Sequence, residues 1–210
     1  DKSKKGKIMQ DYLNLMQNRS SIRAYTQEKI SKENLEYILE CARLSPSSLG
    51  LEPWKFLVFQ KDEHKKEIAK IANNQSHVAN CAAIIVVISR ADFKDYFEEK
   101  LKKRGLSQEE LNKRLQTYKS FLDAMDLEQS FIYAKEQSYL AIANIINAAY
   151  SLNLGSCIIG GFDKDKINQY LNLDTTKQRV SMLITLGHTQ ENTSAEKARF
   201  AFNEVVEFKD

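Results

Sequence analysis

Apolar residues recur every third or fourth position along most of the chain, and a few short runs break that rhythm. Ile8, Tyr12, Leu15 and Met16 fall at helical spacing up to Gln17. "SKENLEYILECARL" predicts a stronger helix, with Ser31 as its cap, Glu33 in the first turn, and Leu35, Ile38, Leu39 and Ala42 on one apolar face. Pro46 disfavours helix at Ser45 and ends it. Trp54 to Gln60 is β-branched and aromatic, which predicts a strand. "KDEHKKEIAKIA" returns to helix, with Asp62 as the candidate cap. Ala82 to Ser89 is apolar without alternation, as in a strand covered on both faces. Residues 128–153 predict the longest helix, placing Phe131, Ala134, Ser138, Ala141, Ile145 and Ala148 on a buried, alanine-rich face. "GSCIIGGFD" predicts a short strand running into a glycine turn, followed by a helix capped by Asp163, and "RVSMLITLG" predicts another buried strand. Near the end, Glu204 to Phe208 has the composition of a short strand.

Few strands separated by helices define an α+β chain, a three-layer α/β/α sandwich. Residues 1–210 are expected to form one domain. Residues 91–127 interrupt it with two charged helices: Phe93, Tyr96, Phe97 and Leu101 keep an apolar stripe up to Gly105, and a second helix starts after Ser107. These helices form a lid, a partner contact or a plain solvated pair. Residues 1–8 open as "DKSKKGK" and lead into no apolar segment, so no signal peptide is expected, and these residues are expected to be frayed or non-native.

Composition adds limits rather than chemistry. The net charge of +3 is too small to argue for nucleic acid, and no apolar run approaches the ~20 residues of a membrane span. Cys41, Cys81 and Cys157 are far apart and odd in number, which fits a reducing cytoplasm and buried thiols rather than disulfides or zinc. His64, His77 and His188 show no metal spacing. G-x-G-x-x-G, P-loop and G-x-S-x-G motifs are absent. Harder chemistry would therefore have to come from a cofactor.

Four stretches carry candidate chemistry. In an extended "NRSSIRAY", Arg19, Ser21 and Arg23 point the same way, a set suited to phosphate or carboxylate; surface arginines at a helix end are the plainer reading. Lys197 and Arg199 form a second basic pair, two residues apart. "SPSSLGLEPW", Ser45 to Trp54, holds both prolines and can offer N–H groups and hydroxyls, or can simply be a rigid connector. "IIGGF", Ile158 to Phe162, lets a flat ligand approach the backbone, or is a tight turn.

In this order the four stretches resemble the FMN-dependent nitroreductase family. Its R-x-S-x-[RK]-x-[FY] motif reads here as Arg19 to Tyr25, its S-P-S-x-x-N-x-Q-P-W loop as Ser45 to Trp54, its G-F-D turn as Gly161 to Asp163, and its K-x-R as Lys197 to Arg199. The resemblance spans about residues 10–208. It implies that Arg19, Ser20, Ser21 and Arg23 hold FMN, with Arg19, Lys197 and Arg199 near the phosphate and Arg23 near the pyrimidine edge of the ring. It also implies Asn74 at the flavin, His77 where some relatives carry lysine, and Ile159, Gly160 and Gly161 beside the ring, the Gly160 N–H near N5. The fold implied is a central mixed sheet flanked by helices, and Pro46, Ser47 and Ser48 would reach the flavin of the other subunit of a homodimer, to which the C-terminal segment crosses. No side chain is implied as catalytic and no metal is expected. Gly50 stands where asparagine is usual, Glu52 where glutamine is usual, and Gly160 where glutamate is common. The implied activity is ping-pong hydride transfer from NADH or NADPH through FMN to an electron-poor acceptor such as a nitroaromatic or quinone. Flavin reductase, dehydrogenase or dehalogenase activity on the same fold stays open, as does an anion- or nucleic-acid-binding module.

Overall fold

A computed structural model describes residues 11–190 and 197–209. Strands β1 (Trp54–Phe59), β2 (Ala83–Arg90), β3 (Gly155–Ile159) and β4 (Gln178–Gly187) form one sheet in the order β1-β2-β4-β3. Each ladder is antiparallel, in registers such as Leu57 with Val86, Val86 with Leu183 and Ile158 with Ile184. The parallel part of the expected mixed sheet reduces to one bridge, Ser21 to Ser156, where the N-terminal segment joins the outer edge of β3. The Ile22 N–H donates to the Ser156 carbonyl at 2.9 Å.

The sheet faces are separated by residue parity. Ile85 and Val87 of β2, with Ile184 and Leu186 of β4, pack under α2 (Lys32–Arg43) and α7 (Leu127–Ser151). Ile84, Val86 and Ile88, with Leu183, pack under α3 (Asp62–Ile71), α4 (Ser76–Asn80) and α8 (Lys164–Tyr170). The central β2 is therefore buried from both sides, as its unbroken apolar run requires. Each such valine or isoleucine side chain contributes about 1.5–3 kcal/mol by leaving water. The six positions named for the long helix are all buried in α7. Ile132, Tyr139 and Leu140 leave its opposite face apolar and exposed.

The helix starts follow local chemistry. Side chains of Ser31, Ser107 and Asp163 accept from N–H groups three residues on, at 3.1, 3.3 and 3.0 Å. Asp126 and Gln129 close a reciprocal capping box on α7 at 2.8 and 2.9 Å, a cap the pattern alone did not mark. Asp62 is not a cap: Lys61 holds that position, and Asp62 is the first helical residue, ion-paired with Lys65 at 2.9 Å. An acid there suits the positive end of the helix dipole as well as a cap would.

The 91–127 excursion folds as α5 (Phe93–Lys102) and α6 (Gln108–Asp123). Phe93, Phe97, Leu101, Leu111 and Leu122 build a third cluster with Leu51 and Ala134, so this pair is packed rather than merely solvated. At the other end, Glu204 to Phe208 is not a strand. Phe202–Val205 makes one helical turn, α9, in which Glu204 folds back to accept from the Ala201 N–H at 2.7 Å. The first helix is described from residue 11 to residue 18; residues 1–10, including Ile8, lie outside the described residues.

Candidate functional site

The segment after the first helix is fixed by two glycines beneath it. A Cβ on Gly155 would fall 2.8 Å from Ile22, and one on Gly187 would fall 2.7 Å from the Tyr25 ring. With both absent, Ile22 is buried, and the Tyr25 hydroxyl meets Thr185 Oγ1 at 2.7 Å and donates to the Ile22 carbonyl at 2.9 Å. The chain between Arg19 and Tyr25 is thus pinned in extended form along β3.

The side chains of this segment divide between Cys157 and a neighbouring cavity, with Arg19 at both. Arg19, Ser21 and Arg23 all act on Cys157, whose thiol is pushed up by burial and pulled back by Arg23, Ser21 and Arg19. Ser20 and Ile22 face the other way, lining a cavity of about 180 Å³ with Tyr150, Asn153 and Leu154; Arg19 also borders it. Arg23 in turn helps to hold the His77 imidazole below its ordinary range, after burial, the larger cause. His77 Nε2 is buried without a hydrogen-bond partner among the described residues. Leaving such a buried nitrogen unpaired costs about 1–3 kcal/mol.

The two ends of the chain also meet. Lys197 Nζ donates to the carbonyl of Met16 in the first helix. Its pKa is lowered by burial, Arg19 and Arg199, and that of Arg19 by burial and Arg199. Among the described residues, none of Arg19, Arg23, Lys197 and Arg199 has a carboxylate within ion-pairing distance. Cations set this close together form a site suited to a phosphate.

The glycine turn closes the strip. Asn73 Nδ2 and Gln75 Nε2 both donate to the Gly161 carbonyl at 3.1 Å, tying the turn to the loop that leads into α4, the helix that carries His77. Asn74, the residue singled out from sequence, is exposed with φ 56°, and its side chain makes no hydrogen bond among the described residues. Ile159 is buried in the sheet core; Gly160 and Gly161 are exposed. A Cβ on Gly160 would meet nothing nearer than Met182 Sδ at 3.5 Å, so neither packing nor a left-handed φ requires glycine there.

Pro46, Ser47 and Ser48 stand apart from this strip. The Ser48 N–H donates to Gln137 of α7 at 2.8 Å, Ser47 Oγ accepts from the Glu52 N–H at 2.9 Å, and no described contact joins them to Arg19 or Arg23. Cavities of about 500 Å³ beside Lys65 and 420 Å³ between Phe131, Asn168 and Arg179 include none of the candidate cofactor-binding residues. No group of three or more possible metal ligands occurs among the described residues. Sequence reasoning missed Cys157, Asn73 and Gln75. Cys157 could have been found from strand parity, two places before Ile159. The other two needed the turn's position.

With this geometry in place, the comparisons agree on one class. A family model described as the nitroreductase family matches residues 16–188. A Haemophilus influenzae protein, provisionally named an NAD(P)H nitroreductase, is 34% identical and covers 93% of this chain and 95% of its own. Among solved structures, a nitroreductase family protein of Streptococcus pneumoniae aligns with a TM-score of 0.82 at 26% identity, over 94% of this chain and all of that one. A provisionally named nitroreductase of Exiguobacterium sibiricum, crystallised in complex with FMN, aligns at 0.83 and 27% identity, over 94% and 96%. The chain belongs to the nitroreductase family, and its fold is nitroreductase-like. No helix among the described residues is long and apolar enough to cross a membrane.

Proposed function

We propose that the protein is a cytoplasmic FMN-dependent oxidoreductase that passes a hydride from NADH or NADPH to an electron-poor acceptor, a nitroaromatic or a quinone, and that residues 1–210 form one FMN-binding domain acting as a homodimer. The observation that carries this reading is the cluster of Arg19, Lys197 and Arg199, which has no ion-paired carboxylate among the described residues and is continuous through Cys157 and Arg23 with His77. A dianionic phosphate suits the first end and a hydrogen-bonding heterocycle the second. The FMN named for the Exiguobacterium relative has both parts. FMN, when bound, supplies the centre that accepts and returns the hydride.

The chain's own residues bind, orient and shield. Arg19, Lys197 and Arg199 hold the phosphate by charge-assisted bonds, and the anion relieves their mutual repulsion. Arg23 and His77 face the polar edge of the ring, where a fixed positive charge favours the negative charge that reduction brings. Ser21 adds a hydroxyl, and Ser20 and Asn74 flank the site. Exposed Gly160 and Gly161 leave room for a flat ring against the backbone, with Ile159 beneath. Pro46, Ser47 and Ser48 would meet the flavin of the other subunit, which accounts for their distance from the strip within one chain. The exposed apolar face of α7, with Ile132, Tyr139 and Leu140, supports such a pairing.

The test is the bound chromophore. The purified protein is expected to be yellow and to bleach with NADH or NADPH under anaerobic conditions, recovering its colour with menadione. Arg23→Ala is expected to retain less flavin than wild type. Full flavin retention in that variant would remove Arg23 from the site, and a colourless wild type that takes up no FMN would end the reading.

A further inference from the structure

The loop from Ser45 to Trp54 and the helical pair α5–α6 are joined more tightly than a connector and a lid require. Leu51 is fully buried in the third cluster with Phe93, Phe97 and Leu101, and Leu49 packs against it. Around these leucines the backbone is unusual: Leu49, Gly50 and Glu52 have φ of 54°, 60° and 48°. The left-handed region is unfavourable for a non-glycine residue, so surrounding contacts must hold it.

Two cations from α5 and its end do so. Arg104 Nη2 donates to the Leu49 carbonyl, and Lys100 Nζ pairs with Glu52 at 2.8 Å. Gly105, at φ 66°, turns the chain directly after Arg104. The guanidinium fills the space beside position 50. A Cβ there would overlap Arg104 Nη2 and lie 3.3 Å from Cζ. The two departures from the family loop pattern are thus answered by two residues of the excursion. Where asparagine is usual, Gly50 admits Arg104; where glutamine is usual, Glu52 carries the charge that Lys100 meets.

We infer that Arg104, assisted by Lys100, is a positioning residue that fixes the Pro46–Ser48 segment and through it the affinity for FMN at the partner subunit's site. The inference rests on the FMN reading above. The Lys100–Glu52 pair is partly exposed, and such pairs contribute little, so Arg104 carries the larger share. Asparagine tolerates a left-handed φ, so a chain with asparagine at position 50 and a small residue at position 104 can adopt the same loop.

The experiment is a double-substitution cycle on FMN affinity, read by quenching of flavin fluorescence, with thermal midpoints alongside. Arg104→Ala and Gly50→Asn are each expected to raise the FMN Kd about fivefold or more, and their combination to return within about twofold of wild type. A double variant whose loss is the sum of the two single losses would overturn the inference, as would single variants that bind like wild type. Hydrogen exchange of the FMN-free protein separates this from failure of the FMN reading. Arg104→Ala should expose the amides of Ser48 and Glu52, and the double variant should protect them again. Unchanged exchange would overturn the clamp whether or not FMN binds.

Discussion

His77 is the residue whose protonation the fold opposes most legibly. Burial, and then Arg23, keep its folded pKa below the value of 6.5 it has when exposed. The unfolded chain therefore takes up this proton first. The imidazole imposes no cost above that range, and stability is lost as pH falls through 6.5 toward the lowered folded value. Thermal midpoints of the FMN-free protein, measured at about pH 7.5 and about pH 5.5, should fall further in wild type than in His77→Gln. Parallel falls would show that His77 titrates alike in both states. The opposite role belongs to Cys81, whose thiol is pushed up to about 12 by burial and is simply part of the core.

Among the elements, the bridge between residues 19–25 and β3 connects packing to the site most directly. Its seat is the pair of glycines at opposite ends of adjacent strands. Gly187→Ala would place a methyl against the Tyr25 ring, displacing the hydroxyl from Thr185 and loosening Arg23 two residues away. Overpacking of this kind costs typically 1–3 kcal/mol, and the expected result is a lower thermal midpoint together with weaker FMN binding. A stability loss with FMN affinity unchanged would disconnect the bridge from the site.

The same scale shows what was legible in the sequence. Strand β2, the buried stripe of α7 and the caps at Ser31, Ser107 and Asp163 follow from apolar spacing and local hydrogen bonding, and they stand where those rules put them. The alternation expected of Arg19, Ser21 and Arg23 is met in part: all three act on Cys157, but Arg19 also shares a cavity with Ser20 and Ile22. The failures are those of distance and of competition. Asp62 and the Lys61 cap differ by one position, which composition does not resolve. Glu204 to Phe208 has strand composition, but a side chain folding back on Ala201 favours a helical turn. Asn73 and Gln75 became visible only when the sheet brought Gly161 beside them.

For the molecule as a whole, the central fact is that the chain returns to its start. Lys197 reaches the carbonyl of Met16 and stands with Arg199 beside Arg19, cations whose mutual repulsion a bound anion would relieve. Burying the exposed face of α7 between two copies would enclose that anion's flavin with the Pro46–Ser48 loop of the second chain. The most direct measurement is the affinity of the protein for FMN against riboflavin, which lacks only the phosphate, in wild type and in a Lys197→Ala, Arg199→Ala variant. The account predicts that wild type prefers FMN by about a thousandfold or more, since three charge-assisted bonds contribute about 1.5 kcal/mol or more each, and that the variant loses most of this preference while riboflavin binding changes little. Equal affinity of wild type for the two flavins would contradict it.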